Sequence, residues 1–430
     1  MTEAVSVVAP RARMAVRGGV LLLLLSVTML ERFGINAGAA SASAALLVGY
    51  LFLLVAGLAG ALSISLARCL LYGICLSVAL GSLLLNESAS SPTSLLLLGA
   101  MYLPFVFVLK PGTLTSDPGE SDGDWIMRKF LDLSLFFALV GIAQFCAQTV
   151  VHVDWLFDFT RYIPEKLRAA GTFNTVIPMG SFNKSNGFFF REPSGFSYLM
   201  ALALISECFT LKRKARVLCL SLALLLTYSG TGIAAVLLGT LHPFGPKTFL
   251  RLALMACVGA LVFWLLGDTL NLAFTLNRVG EFNSEHSSAY MRYIAPARLV
   301  SESIDAAWWT PWLGHGPGTI FRTLRDYEFH DPTWAKMLFE YGAMGFVAIS
   351  SLFLLMLRGQ ASSLQVRATL FWGWLLLGGH LLSPEQNFLA LALIGFTPSP
   401  RAYRRALPEG SNQLEARSLP PLLTAPAGGT

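Results

Sequence analysis

Long apolar runs recur along almost the whole of this chain. They fall near 18–31, 44–64, 69–85, 94–109, 130–150, 194–210, 216–240, 249–266, 334–357, 367–382 and 386–396. A run of about 20 apolar residues matches the hydrocarbon core of a bilayer when it is helical. Only helices or closed barrels can cross lipid, because every backbone polar group must find a partner within the protein. These runs are continuous rather than alternating, which predicts helices. Charged residues make up 13% of the sequence, against about 25% in an ordinary soluble domain. The chain therefore reads as an all-α polytopic membrane protein, with residues 1–396 as one transmembrane domain. The remainder, 397–430, is rich in Pro, Ala and Arg and reads as a disordered cytoplasmic tail.

The net charge of +6 carries no nucleic-acid signal, since Lys and Arg are scattered between the apolar runs as the positive-inside rule places them. Arg11, Arg13 and Arg17 precede the first run, with no clean small-residue cleavage site, so that run is expected to stay as a span entered from the cytoplasm. The six cysteines lie inside apolar runs with no CxxC pair, and packing is the expected role of each.

The number of crossings turns on residues 216–240. With "YSGTG" in their middle they are either one tilted span or two short ones. Taken as one, they leave Arg358, Arg367, Arg401, Arg404 and Arg405 outside. Broken at Ser229–Gly232, they bring all of these inside with Lys247 and Arg251. The break satisfies the rule in every short loop after Arg32. About 12 transmembrane helices (11–13) are therefore expected, with both termini cytoplasmic. Two long loops, 151–193 and 267–333, then face the outside. A break at membrane depth is tolerated where it is buried in protein or lines a wet cavity, so the break and the two loops are expected to share one site.

Polar chemistry concentrates in these loops. The first ends in "SFNKSNGFFFREPSGFSYL". Pro193 suits the first turn of a helix. Arg191 and Glu192 before it have two open readings: interfacial anchors, or an anion ligand with a carboxylate that orients a polar substrate. The second loop supplies Arg292, Arg298, Arg322 and Arg325 among eight Asp or Glu. Bulk charge cannot make an anion site there; selected arginines in folded geometry must, and a salt bridge within the loop is the alternative for each. "GHGPG", Gly314 to Gly318, lacks the Lys-Ser/Thr ending of a P-loop and reads as a tight turn. His330 lies just outside the next span, where an imidazole can take a proton from a hydroxyl. His315 and His286 have weaker settings, and His380 reads as a packing residue within a span. Glu340 lies inside a span, and an intramembrane carboxylate is a functional candidate. No His, Cys and carboxylate spacing resembles a metal site. The one strict DxD, Asp122 and Asp124, falls on the cytoplasmic side.

Taken together, "PWLGHGPGTIFR…FHDPTWAKMLFEYGAMGF" resembles the signature of the O-antigen polymerase and ligase superfamily of bacterial inner-membrane proteins. Its elements here are Gly314, Gly316, Gly318, His330–Asp331, Glu340, Gly342 and Gly345. "SSAYMRYIAPA" resembles the family's Arg-bearing segment and places Arg292. "FFFREPSGFS" resembles a span entry of its exopolysaccharide repeat-unit polymerases. The resemblance implies an integral-membrane glycosyltransferase (GT-C-like) fold with two long periplasmic loops. It also implies a donor oligosaccharide linked to undecaprenyl diphosphate, and no metal, nucleotide or cofactor, because the lipid diphosphate is itself the leaving group. Family arginines are expected to hold that diphosphate and the loop histidine to act near the acceptor hydroxyl; by position these are Arg292 and His330. Glu192 and Glu340 are the other candidate proton acceptors, with Arg191, Arg298, Arg322 and Arg325 as further substrate contacts. Relatives carry Ser-Arg in the mid-membrane break where this chain has Ser229–Gly230, and Arg191 is the expected replacement for the missing cation. The expected partners are the bilayer, the lipid-linked oligosaccharide, and flippase and chain-length or export proteins of the same pathway. Transfer of a finished glycan by a ligase is the nearest alternative. A lipid-linked sugar transporter or flippase is the alternative from another class, against which stands the lack of an internal repeat.

Overall fold

The computed structural model describes residues 9–398 apart from 38–39, 116, 118–119, 152–153, 172, 180–181, 244, 267–283, 288 and 360–361. The expected tail beyond 398 and the first part of the second loop lie outside these residues. What is described is mainly helical. The helices are α1 Pro10–Ser26, α2 Ala44–Leu58, α3 Leu66–Leu85, α4 Pro92–Tyr102, α5 Asp122–Ala147, α6 Pro193–Phe209, α7 Lys214–Leu225, α8 Gly230–Thr240 and α9 Pro246–Leu266. A π-helical turn, Tyr290–Ile294, then runs into α10, Ala295–Ser303. After it come α11 Thr310–Leu313, α12 Thr333–Met356, α13 Leu364–Leu376 and α14 Pro384–Ala390, which continues as a second π-helical turn, Leu391–Gly395. Three short antiparallel ribbons complete the fold: Gly34–Ala37 with Ala40–Ser43, Leu62–Ile64 with Phe107–Leu109, and Pro178–Met179 with Phe182–Asn183.

By length and composition α3, α5 and α12 can each cross a membrane unaided. Other apolar runs form shorter helices than expected. The run 367–382 ends as a helix at Leu376, so His380 sits in the turn before α14 rather than inside a span. The run 216–240 is broken, as the charge distribution demands, but over Leu226–Ser229 rather than Ser229–Gly232. Tyr228 takes a left-handed φ of 47° there, and Gly230 already belongs to α8. The break is satisfied internally: Ser185 N–H donates to the Leu226 carbonyl, and Ser229 N–H to Thr227 Oγ1. A Cβ on Gly232 would stand 2.7 Å from the Ser197 carbonyl oxygen, so glycine lets α8 lie directly on α6.

The main core is a continuous apolar cluster around α6, α12, α13 and α14, with a small separate one of Leu299, Ile320 and Phe339 under the second loop. Buried polar side chains in it hold backbone ends. Arg68, at the start of α3, donates to the carbonyls of Phe105, Met356 and Gly395, where chain segments terminate together. Asp122 accepts from the N–H groups of Thr113, Leu114 and Thr115, while Asp124 forms the capping box of α5 with Ser121. The DxD is thus a loop and helix cap. Of the six cysteines only Cys75 is buried; Cys69, Cys146 and Cys257 are exposed. The expectation of buried packing fails for these three, because the outer faces of membrane helices are as apolar as the inner ones.

Candidate active site

The end of α1 and the starts of α6, α12 and α14 meet at one end of the bundle. A reciprocal clamp joins the first two. Arg32, fully buried, donates from Nε to the Phe190 carbonyl at 3.1 Å and from Nη2 to the Phe157 carbonyl at 3.1 Å. Arg191 answers from the other strand of the clamp: Nε and Nη2 donate to the Glu31 carbonyl at 2.8 and 2.6 Å, and Nη1 to the Ala170 carbonyl at 3.1 Å. This explains why Arg32 breaks the positive-inside pattern: its charge is spent inside the protein on backbone oxygens. It also shows what holds Arg191. The fork is committed to carbonyls, with Glu385 Oε1 a further 3.6 Å from Nη2.

The clamp fixes the entry to α6. Glu192 sits at the helix N-cap with an extended backbone, and Pro193 takes the first helical position, as its missing N–H allows. Ser194 Oγ donates to Glu192 Oε1. The same oxygen faces Arg292 Nη2 at 3.8 Å. Arg292 projects from the π-helical turn, and its Nη1 donates to Thr231 Oγ1 at 3.3 Å. Thr231 lies in the first turn of α8, directly after the break. The guanidinium that reaches the broken segment is therefore that of Arg292; Arg191, expected there, is turned toward Glu31 and Ala170. His330 joins the same group because its N–H donates to the Met291 carbonyl at 2.8 Å, one residue before Arg292. Burial of the ring and the Arg292 charge hold the His330 imidazole below its ordinary 6.5, against the opposing pull of Asp331, Glu192 and Glu328. An imidazole on the neighbouring loop and the Glu192 carboxylate thus gather around a loosely held guanidinium, that of Arg292, which contacts the broken helix.

The other sequence candidates lie elsewhere. Arg298 pairs with Glu302 at 2.6 Å and stacks on Tyr327. Arg325 reaches Glu302 at 3.7 Å and Ser303 Oγ at 3.1 Å. Arg322 donates to the Ala89 carbonyl. Arg298 and Arg325 brace the loop internally, Arg322 ties it to the turn between α3 and α4, and the contacts of all three lie away from Arg292. His315 is tied to the Ser303 carbonyl at 3.0 Å and packs on Phe339.

Glu340 serves the glycine turn. At Gly342, φ +64°, α12 is kinked, and its freed carbonyls at Phe339 and Glu340 accept from the N–H groups of His315 and Gly316 at 2.8 and 3.0 Å. Gly314, Gly316 and Gly318 all have positive φ. A Cβ on Gly314 would meet the Glu340 carbonyl carbon at 2.5 Å, and one on Gly342 the Trp312 carbonyl carbon at 2.3 Å. The turn is a backbone dock for a kinked helix. Glu340 Oε1 accepts from Ile320 N–H at 3.4 Å, and its Oε2 has no hydrogen-bond partner among the described residues. Lys336, one turn earlier, is buried against Asp331 Oδ2 at 3.0 Å and lies over the Phe321 ring, which anchors the residue next to His330.

Glu31, Arg32, Lys336 and Glu385 belong to this end of the bundle and were not singled out in the sequence. Glu31 lies in the turn beyond α1, and burial lifts its carboxyl to about 7, with Arg191 pulling it down and Glu385 and Glu192 pushing it up. The available signals were an unpaired-looking "ER" closing the first run and a lone Glu in "SPEQN" between the last two. Among the described residues no three His, Cys, Asp or Glu side chains gather as a metal site.

The family model of the WcaD colanic acid polymerases matches residues 18–315, well over half of the chain. The chain belongs to the WcaD colanic acid polymerase family. Membership supports a repeat-unit polysaccharide polymerase, a glycosyltransferase-type enzyme of the membrane, and agrees with the exopolysaccharide polymerase resemblance. The family match takes in the clamp, Glu192, the broken α7–α8 segment and Arg292, and ends inside the glycine turn, before His330 and Glu340. No curated protein matches the sequence.

Proposed function

We propose that this family member polymerises oligosaccharide repeat units carried on undecaprenyl diphosphate, at the periplasmic face of the bacterial inner membrane, within a twelve-span GT-C-like fold. The observation that carries this is Arg292, which contacts the segment after the break between α7 and α8, faces Glu192, and stands one residue from the backbone bond to His330. An acceptor sugar hydroxyl attacks the anomeric carbon of the donor. The new glycosidic C–O bond forms as the bond from that carbon to the phosphate oxygen breaks, and the lipid diphosphate leaves with the electron pair. Arg292, whose contacts are long, turns its fork to the phosphate oxygens and stabilises the charge that grows there. His330, neutral at physiological pH, takes the hydroxyl proton. Glu192 steers Arg292 and offers an acceptor to the sugar. Arg191 acts here by holding the α6 entry in place. Arg298, Arg322 and Arg325 support the loop, and Glu340 keeps the glycine turn docked on α12. Since the lipid diphosphate is already a leaving group, the scheme calls on no nucleotide.

A ladder of polymer lengths from purified protein and lipid-linked repeat unit is the expected product. A single transfer to a separate acceptor would mean a ligase. Movement of the lipid-linked sugar across vesicles without new glycosidic bonds would mean a transporter.

A further inference from the structure

A cleft of about 520 Å³ opens in the first long loop, edged by Ala170, whose carbonyl accepts from Arg191. That volume lies within the usual range of small-ligand sites. Its walls carry Asn36, Asp158, Arg161, Glu165, Arg168 and Phe173. The walls are tied together: Asn36 Nδ2 donates to the Glu165 and Arg168 carbonyls at 3.2 and 2.7 Å, and Phe33 pairs with Arg168 through an isolated β-bridge. Arg32 anchors the Asp158 side at 3.5 Å. The cleft is thus preformed on the same clamp that places Glu192.

Resting on the polymerase reading, we propose that this cleft is a subsite for the acceptor glycan. Two guanidinium groups and two carboxylates line it, so no excess charge favours a free anion. The polar walls do not suit a lipid tail. Side by side, donors and acceptors match sugar hydroxyls, which both give and take hydrogen bonds. In the same wall Arg168 Nε is buried and has no hydrogen-bond partner among the described residues. Phe173 supplies an apolar face for a sugar ring. The Arg191 guanidinium lies 5.1 Å over that same ring, and Arg191 also holds the Ala170 carbonyl at the cleft edge. Arg191, the residue before Glu192, is thus the link between the cleft and the Glu192–Arg292 pair.

The probe is the soluble repeat-unit oligosaccharide, cut from the polysaccharide of the producing cell and titrated into detergent-purified protein. Two variants are compared with the unmodified chain: the double variant Arg161→Ala with Glu165→Gln, both exposed positions, and Ala170→Trp, which fills the cleft from an exposed edge without removing a wall. Each is expected to weaken oligosaccharide binding about tenfold or more and to raise the acceptor KM alike, with kcat within about twofold. Arg292→Ala is expected to bind the probe as the unmodified chain does, since the probe carries no diphosphate. Unchanged affinity in both cleft variants, with melting temperatures preserved, overturns the subsite. Failure of the polymerase reading looks different: the oligosaccharide binds in the cleft and both cleft variants weaken it, yet lipid-linked repeat units are never joined.

Discussion

Replacing Arg292 by alanine tests the proposed catalytic role of its guanidinium against a structural one. In the structure Arg292 makes a 3.3 Å hydrogen bond to Thr231 and a 3.8 Å ion pair with Glu192, both partly open to solvent. Pairs of this kind contribute about 0–1 kcal/mol, so the loss should cost the fold about 1 kcal/mol. A donor aimed at developing negative charge is worth about 2.7–4 kcal/mol, or a factor of about 10²–10³ in rate. The rate term is the larger by far, so Arg292→Ala should lose two to three orders of magnitude in polymerisation while melting almost normally. Arg191→Ala should behave in the opposite sense. It deletes three charged hydrogen bonds to the Glu31 and Ala170 carbonyls, each worth about 1.5–3 kcal/mol, and the protein should lose several kcal/mol of stability. The assay pairs initial rates of product-ladder formation from lipid-linked repeat unit with melting curves in detergent. Arg292→Ala retaining a rate within threefold of the parent, or melting as early as Arg191→Ala, would refute the assignment.

Three further outcomes follow from the same geometry. The acid limb of the pH–rate profile should have its midpoint below 6.5, because the base form of His330 is favoured by partial burial and by Arg292; Arg292→Ala should move that midpoint upward, and a stationary midpoint would remove His330 as the titrating base. Glu31, at about 7 rather than its ordinary 4.5, holds more protons folded than unfolded between those values, so stability should fall as pH rises through that window; Glu31→Gln should flatten the fall, as melting curves at pH 5 and pH 8 will show, and an undiminished slope counts against it. Gly342→Ala forces a side chain into a left-handed position facing the Trp312 and Leu313 backbone at 2.3 and 2.5 Å, at about 1–2 kcal/mol for the conformation and about 1–3 for the crowding. Gly73→Ala, with nothing within 4 Å, is the control that should melt like the parent or slightly later.

Much of the site was visible as separate pieces. Glu192 and His330 stood out as ionisable groups beside apolar runs, and Arg292 through the resemblance of its segment to the family's Arg-bearing one. The break in 216–240 was visible because Arg and Lys on either side demanded an extra crossing. What stayed hidden were partners far apart in the chain. Glu31 and Arg32 look like an ordinary span ending until Phe190 and Arg191 arrive, about 160 residues later. Arg191 was the expected cation at the break, and no local pattern pointed to Arg292 in its place.

By itself, the order of apolar runs and basic loops determined that this chain is a helical membrane protein, with one broken segment and its polar chemistry gathered in two loops. Tertiary structure decided which groups are committed and which are available. Hydrophobic patterning acts on every residue through solvent alone, so it is legible locally. A guanidinium is satisfied by whichever oxygens the fold brings within about 3 Å. For Arg191 these are the carbonyls of Glu31 and Ala170, and for Arg292, among the described residues, two long contacts, one of them to the segment after the break.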